Sequence, residues 1–248
     1  MRTFMLKSAL TSRLERYLEL TPDERDALDW AERREQRVRA GAHLTREGEA
    51  NDHLYIVQQG WLHASTTLPN GGRQILRFHY AGDLIGTSSI AWNLAATTLT
   101  AVSDCVISEL SKSNLGRIFK AQPRLAGLLY AVAAAENVAM ADRLTSVGRT
   151  GAVERLSTLL LDMLARLRTT AGGVIDSFEL PLTQADIGDA VGLTKVHVNR
   201  TIREMERRDL IERIGKRVRI KNEASLAKSV GFHDRYTEIA TDWLPLAA

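Results

Sequence analysis

The side chains best suited to chemistry lie close together in the C-terminal third of the sequence. They are polar or basic, and most of them donate hydrogen bonds: Lys195, His197, Asn199, Arg200 and Arg203. Between them, Val198, Ile202 and Met205 follow the i, i+4, i+7 spacing of a helix that buries one apolar face. Donors on the opposite face are the groups that contact base edges and phosphate oxygens. The pattern therefore predicts a helix that recognises nucleic acid without covalent chemistry.

The residues before this helix indicate what positions it. Thr183 is a typical N-cap for a shorter first helix, whose buried face would hold Ile187, Ala190 and Val191. Gly188 omits a side chain where a second helix crosses closely. Gly192 stands at the turn, where the left-handed backbone conformation costs least for glycine. Two helices joined in this way form a helix-turn-helix, whose second helix enters the major groove.

A hairpin is predicted directly after these helices. Residues 210–220, LIERIGKRVRI, alternate as two short strands that turn near Gly215, with Lys216 and Arg217 beside the turn. From Thr183 to Lys221 there are ten basic and six acidic residues, in a chain whose net charge is +3. The positive charge is therefore concentrated here, as a nucleic-acid interface requires. The hairpin would be the wing of a winged helix-turn-helix.

The N-terminal half predicts helix followed by strands. Residues 3–39 are charged and carry leucines at helical spacing, and Thr21 followed by Pro22 marks a helix start. From about Arg37 onward, short segments rich in β-branched and aromatic residues alternate with glycines. These segments are 53–60, 61–68, 73–80, 97–103 and 105–110. Their spacing predicts an antiparallel sandwich or roll of roughly 80 residues.

A long helix is predicted over 123–148, after the helical period returns beyond Ser111. Its 3-4-3-4 spaced positions predict a dimer seam made by Leu125, Leu128, Val132, Ala135 and Ala139. The alternative is a helix packed only on its own sheet. Residues 148–151 are a plausible hinge, a helix is expected over 153–168, a loop over 169–177, and a helical pattern from Glu223 onward.

Composition excludes several classes of protein. Cys105 is the single cysteine, so an internal disulfide and a multi-cysteine metal site are excluded. We expect a cytoplasmic chain without membrane association, because no secretory signal or uninterrupted apolar run of about 18 residues is present. No metal-binding spacing, nucleophile elbow or phosphate loop is present, which argues against an enzyme. A ligand-binding protein with a secondary DNA-binding part is a further alternative.

The whole layout resembles the CRP/FNR family of bacterial transcription regulators over about residues 30–221. The resemblance is carried by GEANDHLYIVQQG, GGRQILRFHYAGDLIG and LTQADIGDAVGLTKVHVNRTIREMERRDLI. It implies an α+β fold: an N-terminal antiparallel β-roll of the cyclic-nucleotide-binding, cupin-like type, a long dimerisation helix, and a C-terminal winged helix-turn-helix. It also implies a homodimer that binds a roughly palindromic operator in double-stranded DNA and contacts RNA polymerase.

On this basis we expect five parts. Residues 1–30 would form an N-terminal helical segment, 31–118 the β-roll sensor domain and 119–148 the dimerisation helix. Residues 149–222 would form the DNA-binding domain and 223–248 a helical C-terminal tail.

The sensor region departs from the cyclic-nucleotide branch of the family. That branch has a glutamate in the turn where this chain has Thr87 and Ser88 after Gly86, and an Arg-Ser pair that aligns near Ala95 and Ala96. The missing arginine removes the charge-assisted contact to the cyclic phosphate, so no cyclic nucleotide is expected. The candidate effector pocket is left open to an uncharged ligand, another small molecule or none. It comprises Thr87, Ser88, Ser89, Trp92, Ala95, Ala96 and Met140.

No cofactor is expected. The oxygen-sensing branch of the family binds an iron–sulfur cluster through several cysteines, and Cys105 alone cannot supply them. Cys105 has no basic neighbour in sequence, so we expect a buried, unreactive thiol. A haem-sensing or small-molecule-sensing regulator is the alternative, with histidines in the roll as the only nitrogen ligands: His43, His53, His63 and His79.

The resemblance also assigns roles in the recognition region. Arg200 matches a base-reading arginine that pairs with guanine, and Lys195 and Asn199 match other base-contacting positions. Val196 replaces a glutamate common in the family and could contact a thymine methyl. The full set of expected DNA contacts is Thr183, Gln184, Thr194, Lys195, Val196, His197, Asn199, Arg200, Arg203, Lys216 and Arg217.

Overall fold

The computed structural model describes residues 8–171 and 175–246. Two helices come first, α1 (Ala9–Leu14) and α2 (Pro22–Ala31). Thr21 caps α2 as predicted: its side chain accepts from the backbone N–H of Glu24, whose carboxylate accepts from the N–H of Thr21. The predicted helical character to residue 39 is wrong, because Glu35–Val38 forms strand β1 against a later strand. Residues 3–7 of that prediction lie outside the described residues.

Seven further strands complete two four-stranded sheets. They are β2 (His43–Thr45), β3 (His53–Gln59), β4 (Leu62–Thr67), β5 (Arg73–His79), β6 (Leu84–Ile85), β7 (Thr98–Ala101) and β8 (Cys105–Ser111). The strand orders are β1-β8-β3-β6 and β2-β7-β4-β5. All five predicted strands are confirmed, and the antiparallel β-roll with them. The strands missed, β1, β2 and β6, have two to four residues, too few to show alternation.

Two apolar clusters hold this part of the chain together. One contains the facing side chains of both sheets, including Val57, Leu62 and Ile107, each without exposed surface. The other joins helices to strands: Leu14 and Leu28 pack with Leu54, Ile56 and the start of the long helix. Burial of these residues is the main stabilising term.

The long helix is present as α4 (Pro123–Arg149), preceded by α3 (Lys112–Ala121). The predicted seam register is wrong for three of its five residues. Leu125, Leu128 and Val132 are at most 8% exposed and belong to the chain's own core cluster with α1 and α2. Their side chains are therefore unavailable to a partner. Ala135 and Ala139 are half-buried.

The opposite side of α4 is open. Tyr130 is 72% exposed and Leu144 is 74% exposed. By length and composition alone the helix could cross a membrane, and 22% of the relevant window is buried. Exposed apolar side chains grouped on one helix are typical of an interaction site.

The remaining elements are α5 (Ala152–Arg168), β9 (Ser177–Glu179), α6 (Gln184–Val191), α7 (Lys195–Arg207), β10 (Ile211–Ile214), β11 (Arg217–Ile220) and α8 (Glu223–Val230). Strands β10, β11 and β9 form a small antiparallel sheet in that order. The predicted hairpin is confirmed. Strand β9 was not predicted; it begins at Ser177, the last residue of the predicted loop, and residues 172–174 of that loop lie outside the described residues. The helical tail is confirmed only to Val230, because Gly231 ends α8 in the left-handed conformation. Residues 247–248 of that prediction are outside the described part.

Contacts divide the chain into two compact units. The first unit consists of the chain up to Thr66, then Arg77–Ala133, and again the segment that begins at Ile239. The second unit consists of Thr67–Leu76 and Ala134–Glu238. The tip of the β4–β5 hairpin therefore belongs to the same unit as α5 to α8, while the C-terminal segment belongs with the roll.

Candidate nucleic-acid interface

The first helix of the predicted pair, α6, is fixed at its N-terminus by a reciprocal cap. Thr183 Oγ1 accepts from the N–H of Asp186 at 3.1 Å, and the N–H of Thr183 donates to Asp186 Oδ2 at 2.9 Å. The turn after α6 is as predicted, with Gly192 at φ 70°. A Cβ on Gly188 would lie 2.4 Å from the carbonyl oxygen of Leu193. Only glycine permits this close approach.

The second helix, α7, has the predicted buried face. Val198, Ile202 and Met205 are at most 5% exposed, and Thr194 caps the helix by accepting from the N–H of His197. The predicted contact residues lie on the other face: Lys195, Val196, His197, Arg200 and Arg203 are exposed, and Asn199 is half-buried. Val196 stands out because it is apolar and 77% exposed. This face is available to a large partner.

Thr183 and Gln184 are exposed at the N-terminus of α6, and Thr194 is exposed at that of α7. Free backbone N–H groups and the helix dipole favour anions at such positions. On the wing, Lys216 and Arg217 are exposed beside Gly215. Arg217 also donates to Ser177 Oγ at 3.1 Å. The wing is thereby tied to β9.

Ion pairing separates the basic residues into two groups. Arg213 pairs with Glu206, Arg219 with Asp176, and Lys221 with Glu212. Within the described residues, no acidic side chain lies within ion-pair distance of four predicted DNA contacts: Lys195, Arg200, Arg203 and Lys216. These four cations are not neutralised by any acid in the part of the chain that the structure describes. They form the positive part of the exposed face.

Sequence reasoning missed a cation at the hairpin tip. Arg73 donates through Nε to Asp189 Oδ2 at 2.8 Å and through Nη2 to Asp186 Oδ1 at 2.6 Å. Burial alone would raise the pKa of Asp186, but hydrogen bonds from Thr183 and Arg73 lower it below its ordinary value. We call Arg73, Asp186 and Asp189 the α6 clamp. Its only signal in the sequence is a pair of acids three residues apart in a basic region.

Two more arginines hold the other end of α6. Arg143 Nη2 donates to the carbonyl oxygen of Ala190 at 3.0 Å, and Arg155 Nη1 donates to that of Val191 at 3.3 Å. Cations at a helix C-terminus satisfy carbonyls that lack intrahelical partners and complement the dipole. Both ends of α6 are therefore fixed by side chains from elsewhere in the second unit.

The candidate effector residues lie mostly on one short segment of the first unit. Thr87 and Ser88 are exposed at the start of a 3₁₀ helix, Thr87–Ala91, whereas Ser89 and Ala95 are buried. Trp92 is 62% exposed and Ala96 is also exposed. Met140 lies on α4, in the second unit. A ligand site here stays a prediction.

Cys105 and two of the four roll histidines, His43 and His53, have partners within the first unit. Cys105 is buried as predicted, its thiol contacts the carbonyl oxygen of Ser103 at 3.1 Å, and burial raises its pKa. His43 bonds Thr100, and His53 pairs with Asp52. In the part of the chain that the structure describes, no three metal-ligating side chains lie together.

Comparison with known proteins agrees with this architecture. The family described as "Cyclic nucleotide-binding domain" matches residues 35–122, and the family described as "Crp-like helix-turn-helix domain" matches residues 154–229. Transcriptional activator protein FnrA of Stutzerimonas stutzeri is 26% identical over 86% of this chain and 87% of its own length. The fumarate and nitrate reduction regulatory protein of Escherichia coli K12 is 26% identical over 86% of this chain and 84% of its own length.

Solved structures show the same fold. FixK2 from Bradyrhizobium japonicum superposes with a TM-score of 0.70 and 28% identity, over 78% of this chain and 95% of that one. A CooA mutant from Carboxydothermus hydrogenoformans has a TM-score of 0.64 at 18% identity, covering 79% of this chain and 87% of that one. Regulators of this kind bind DNA and act as dimers, and they are not enzymes. The chain belongs to the CRP/FNR family of transcription regulators and carries its helix-turn-helix DNA-binding domain.

Proposed function

We propose that this protein is a cytoplasmic, homodimeric regulator that binds a palindromic operator and contacts RNA polymerase once bound. The observation that carries the proposal is the exposed face of α7, where Lys195, Arg200 and Arg203 are not neutralised by acids of the described chain. The apolar face of the same helix is buried. Its N-terminal turn is therefore directed to solvent in the way that major-groove recognition requires.

The dimer contact follows from the exposed side of α4. Its exposed positions continue at 3-4-3-4 spacing, and we call them the α4 seam: Tyr130, Ala134, Asn137, Ala141 and Leu144. This spacing keeps one face of a helix against a parallel copy of itself. The α4 seam replaces the dimer seam predicted from the sequence, because Leu125 and Leu128 of that predicted seam are buried in the chain's own core. A twofold dimer presents two identical DNA-binding units, which a palindrome matches.

The proposed dimer also explains why α4 is apolar enough to cross a membrane by length and composition alone. In a single copy of the chain, part of this apolar surface is exposed. Small side chains such as Ala134 and Ala141 allow two helices to approach closely, and the large ones, Tyr130 and Leu144, supply apolar area. Covering the α4 seam with a second copy removes this surface from water.

The test is the DNA affinity of the purified, ligand-free protein, measured on a palindrome selected from random sequences. Arg200→Ala serves as the matched control because it removes one exposed cation and leaves the buried face of α7 intact. We expect binding of the selected palindrome to be tighter than binding of random duplex by at least about a thousandfold. Equal affinity for both duplexes, with and without added cell extract, contradicts the proposal.

The same experiment separates two forms of regulation. Nanomolar binding without any effector means that the roll is structural or already in its active state. Specific binding that requires cell extract means that a ligand acts through the roll, and fractionation of the extract then identifies it. This second outcome is the effector-sensing alternative, which the exposed segment around Thr87 and Trp92 keeps open.

A further inference from the structure

The segment after α8 returns to the first unit and completes its core. Leu244 is 7% exposed and belongs to the same cluster as Leu125, Leu128 and Val132 of α4, and Ile239 packs against that cluster. This segment lies beyond the helix-turn-helix family match, which ends at residue 229. The C-terminal segment is therefore a feature of this chain in addition to the shared DNA-binding domain.

The segment reaches α4 at a glycine. A Cβ on Gly127 would lie 2.5 Å from Leu244 Cδ2 and 3.8 Å from Trp243 Cη2. The first distance is too short for any real side chain, so the glycine makes room for Leu244. Trp243 lies at ordinary contact distance from the same point. Leu244 thus occupies the place that a residue-127 side chain would fill, and Trp243 lies beside it.

Gly127 is also the position at which the α4 seam would continue. It precedes Tyr130 by three residues, and the spacing from 127 through 130, 134, 137, 141 and 144 alternates three and four. A coiled-coil seam needs a side chain at each such position, and glycine offers none. Trp243 lies next to this position and is 56% exposed, so its side chain is available to fill it. Its Nε1 donates to the carbonyl oxygen of Ala240 at 3.0 Å, so the polar atom is satisfied and the rest of the ring is apolar.

We propose that Trp243 is part of the dimer interface and that the partner it contacts is the N-terminal end of the same seam on a second copy of this chain. The inference rests on the proposed dimer and extends the α4 seam by one position. In a parallel pair the two Gly127 positions face each other across the twofold axis, so two indoles meet there. Trp is the residue type that most often dominates an interface in this way.

The first experiment compares Trp243→Ala with the wild type by sedimentation over a series of protein concentrations. The dimer dissociation constant should rise at least about tenfold, because each dimer loses two buried indoles. Ile214→Ala is the matched control, since Ile214 is apolar, 72% exposed and on the wing, and it should leave the constant unchanged. Thermal unfolding at a concentration where both proteins are monomeric should be unaffected, because Trp243 is mostly exposed in one copy.

Leu144→Glu separates this inference from the proposed dimer. If Leu144→Glu gives monomers and Trp243→Ala leaves the dissociation constant unchanged, the role of Trp243 is overturned and the α4 seam stands. If Leu144→Glu remains a dimer, the α4 seam itself is wrong. Fluorescence gives an independent reading: the difference between wild type and Trp243→Phe should show emission that shifts to shorter wavelength as dimers form. Solvent-like emission from Trp243 in the dimer contradicts the proposal.

Discussion

At Val196, the recognition helix presents an apolar side chain to solvent where the resemblance to the family leads one to expect an acid. The side chain is 77% exposed, next to Lys195 and His197. A carboxylate there would accept a hydrogen bond from cytosine, whereas a branched apolar group contacts the methyl group of thymine. The identity of this one residue should therefore select the base it faces.

We expect Val196→Glu to change the preferred half-site at one position, from a thymine to a cytosine on the contacted strand. Selection of bound sequences from random DNA, carried out in parallel for both proteins, measures this directly. Val196 makes no buried contact, so unfolding of the variant serves as a control and should match the wild type. Identical consensus sequences would mean that position 196 does not read a base.

Substitution of Arg200 and of Lys216 should affect DNA affinity differently. Arg200→Ala removes the predicted base contact and should weaken binding of the selected palindrome by about 1–3 kcal/mol per contact, with little effect on random duplex. Lys216→Ala removes the predicted phosphate contact and should weaken binding of both duplexes by the same factor. Fluorescence anisotropy with the two duplexes measures the four affinities. If Arg200→Ala weakens binding of both duplexes by the same factor, Arg200 contacts the DNA phosphates and not a base.

At the level of elements, the turn between α6 and α7 depends on Gly188. Gly188→Ala places a methyl group against the carbonyl oxygen of Leu193 and should lower the free energy of unfolding by about 1–3 kcal/mol. Gly116→Ala in α3 is the control, because nothing lies within 4 Å of a Cβ there; it should raise that free energy by about 0.5–1 kcal/mol. Chemical denaturation measures both. If both substitutions change the free energy of unfolding equally, the structure accommodates a methyl group at residue 188 without strain.

The α6 clamp is the second prediction at this level. Arg73→Ala leaves two carboxylates uncompensated beside the exposed N-terminus of α6. It should weaken binding of selected and random duplex alike, because the added repulsion acts on phosphates. The partly exposed α6 clamp should contribute about 1 kcal/mol to the free energy of unfolding. Arg73→Lys should show smaller losses of DNA affinity and stability than Arg73→Ala, because an ammonium keeps the charge but cannot hold two carboxylates in a fork.

A double-mutant cycle with Asp189→Asn checks the clamp. If the pair is coupled, the cost of Arg73→Ala should shrink once Asp189 carries no charge. Asp189 is the appropriate partner because the Asp186 carboxylate also accepts from the backbone N–H of Thr183, the N-cap of α6. Additive effects of the two substitutions on DNA affinity and on unfolding would show that the contact carries no energy.

Local sequence patterns were sufficient to predict most helices and strands. Which face of a helix is buried, and which distant residues pair, depends in part on long-range contacts. The spacing of Val198, Ile202 and Met205 is sufficient to identify the buried face of α7, because no alternative stripe on that helix is apolar. On α4, two stripes follow the same spacing, and only packing against α1 and α2 determines that Leu125 and Leu128 face inward. The α6 clamp joins residues 116 apart, which no periodicity can show.

At the scale of the whole molecule, DNA binding should be strongly salt-dependent. The four cations on the recognition helix and wing that are not neutralised within the described chain are present twice in a dimer. We expect affinity to fall at least about tenfold between about 50 and 200 mM salt, through release of counterions from the phosphates. Lys216→Ala should lower the slope of the double-logarithmic plot by about two, one for each copy. A slope near zero would exclude an electrostatic interface.

The position of Leu244 in the core of the first unit has a consequence for biosynthesis. Leu244 is synthesised more than a hundred residues after Val132, with which it shares that core. While the ribosome is still translating the DNA-binding unit, the roll lacks Ile239 and Leu244, and Gly127 has no side chain above it. Assembly of the roll is thus completed only after the DNA-binding unit has been made, so a nascent chain truncated before residue 239 should carry an incompletely packed roll.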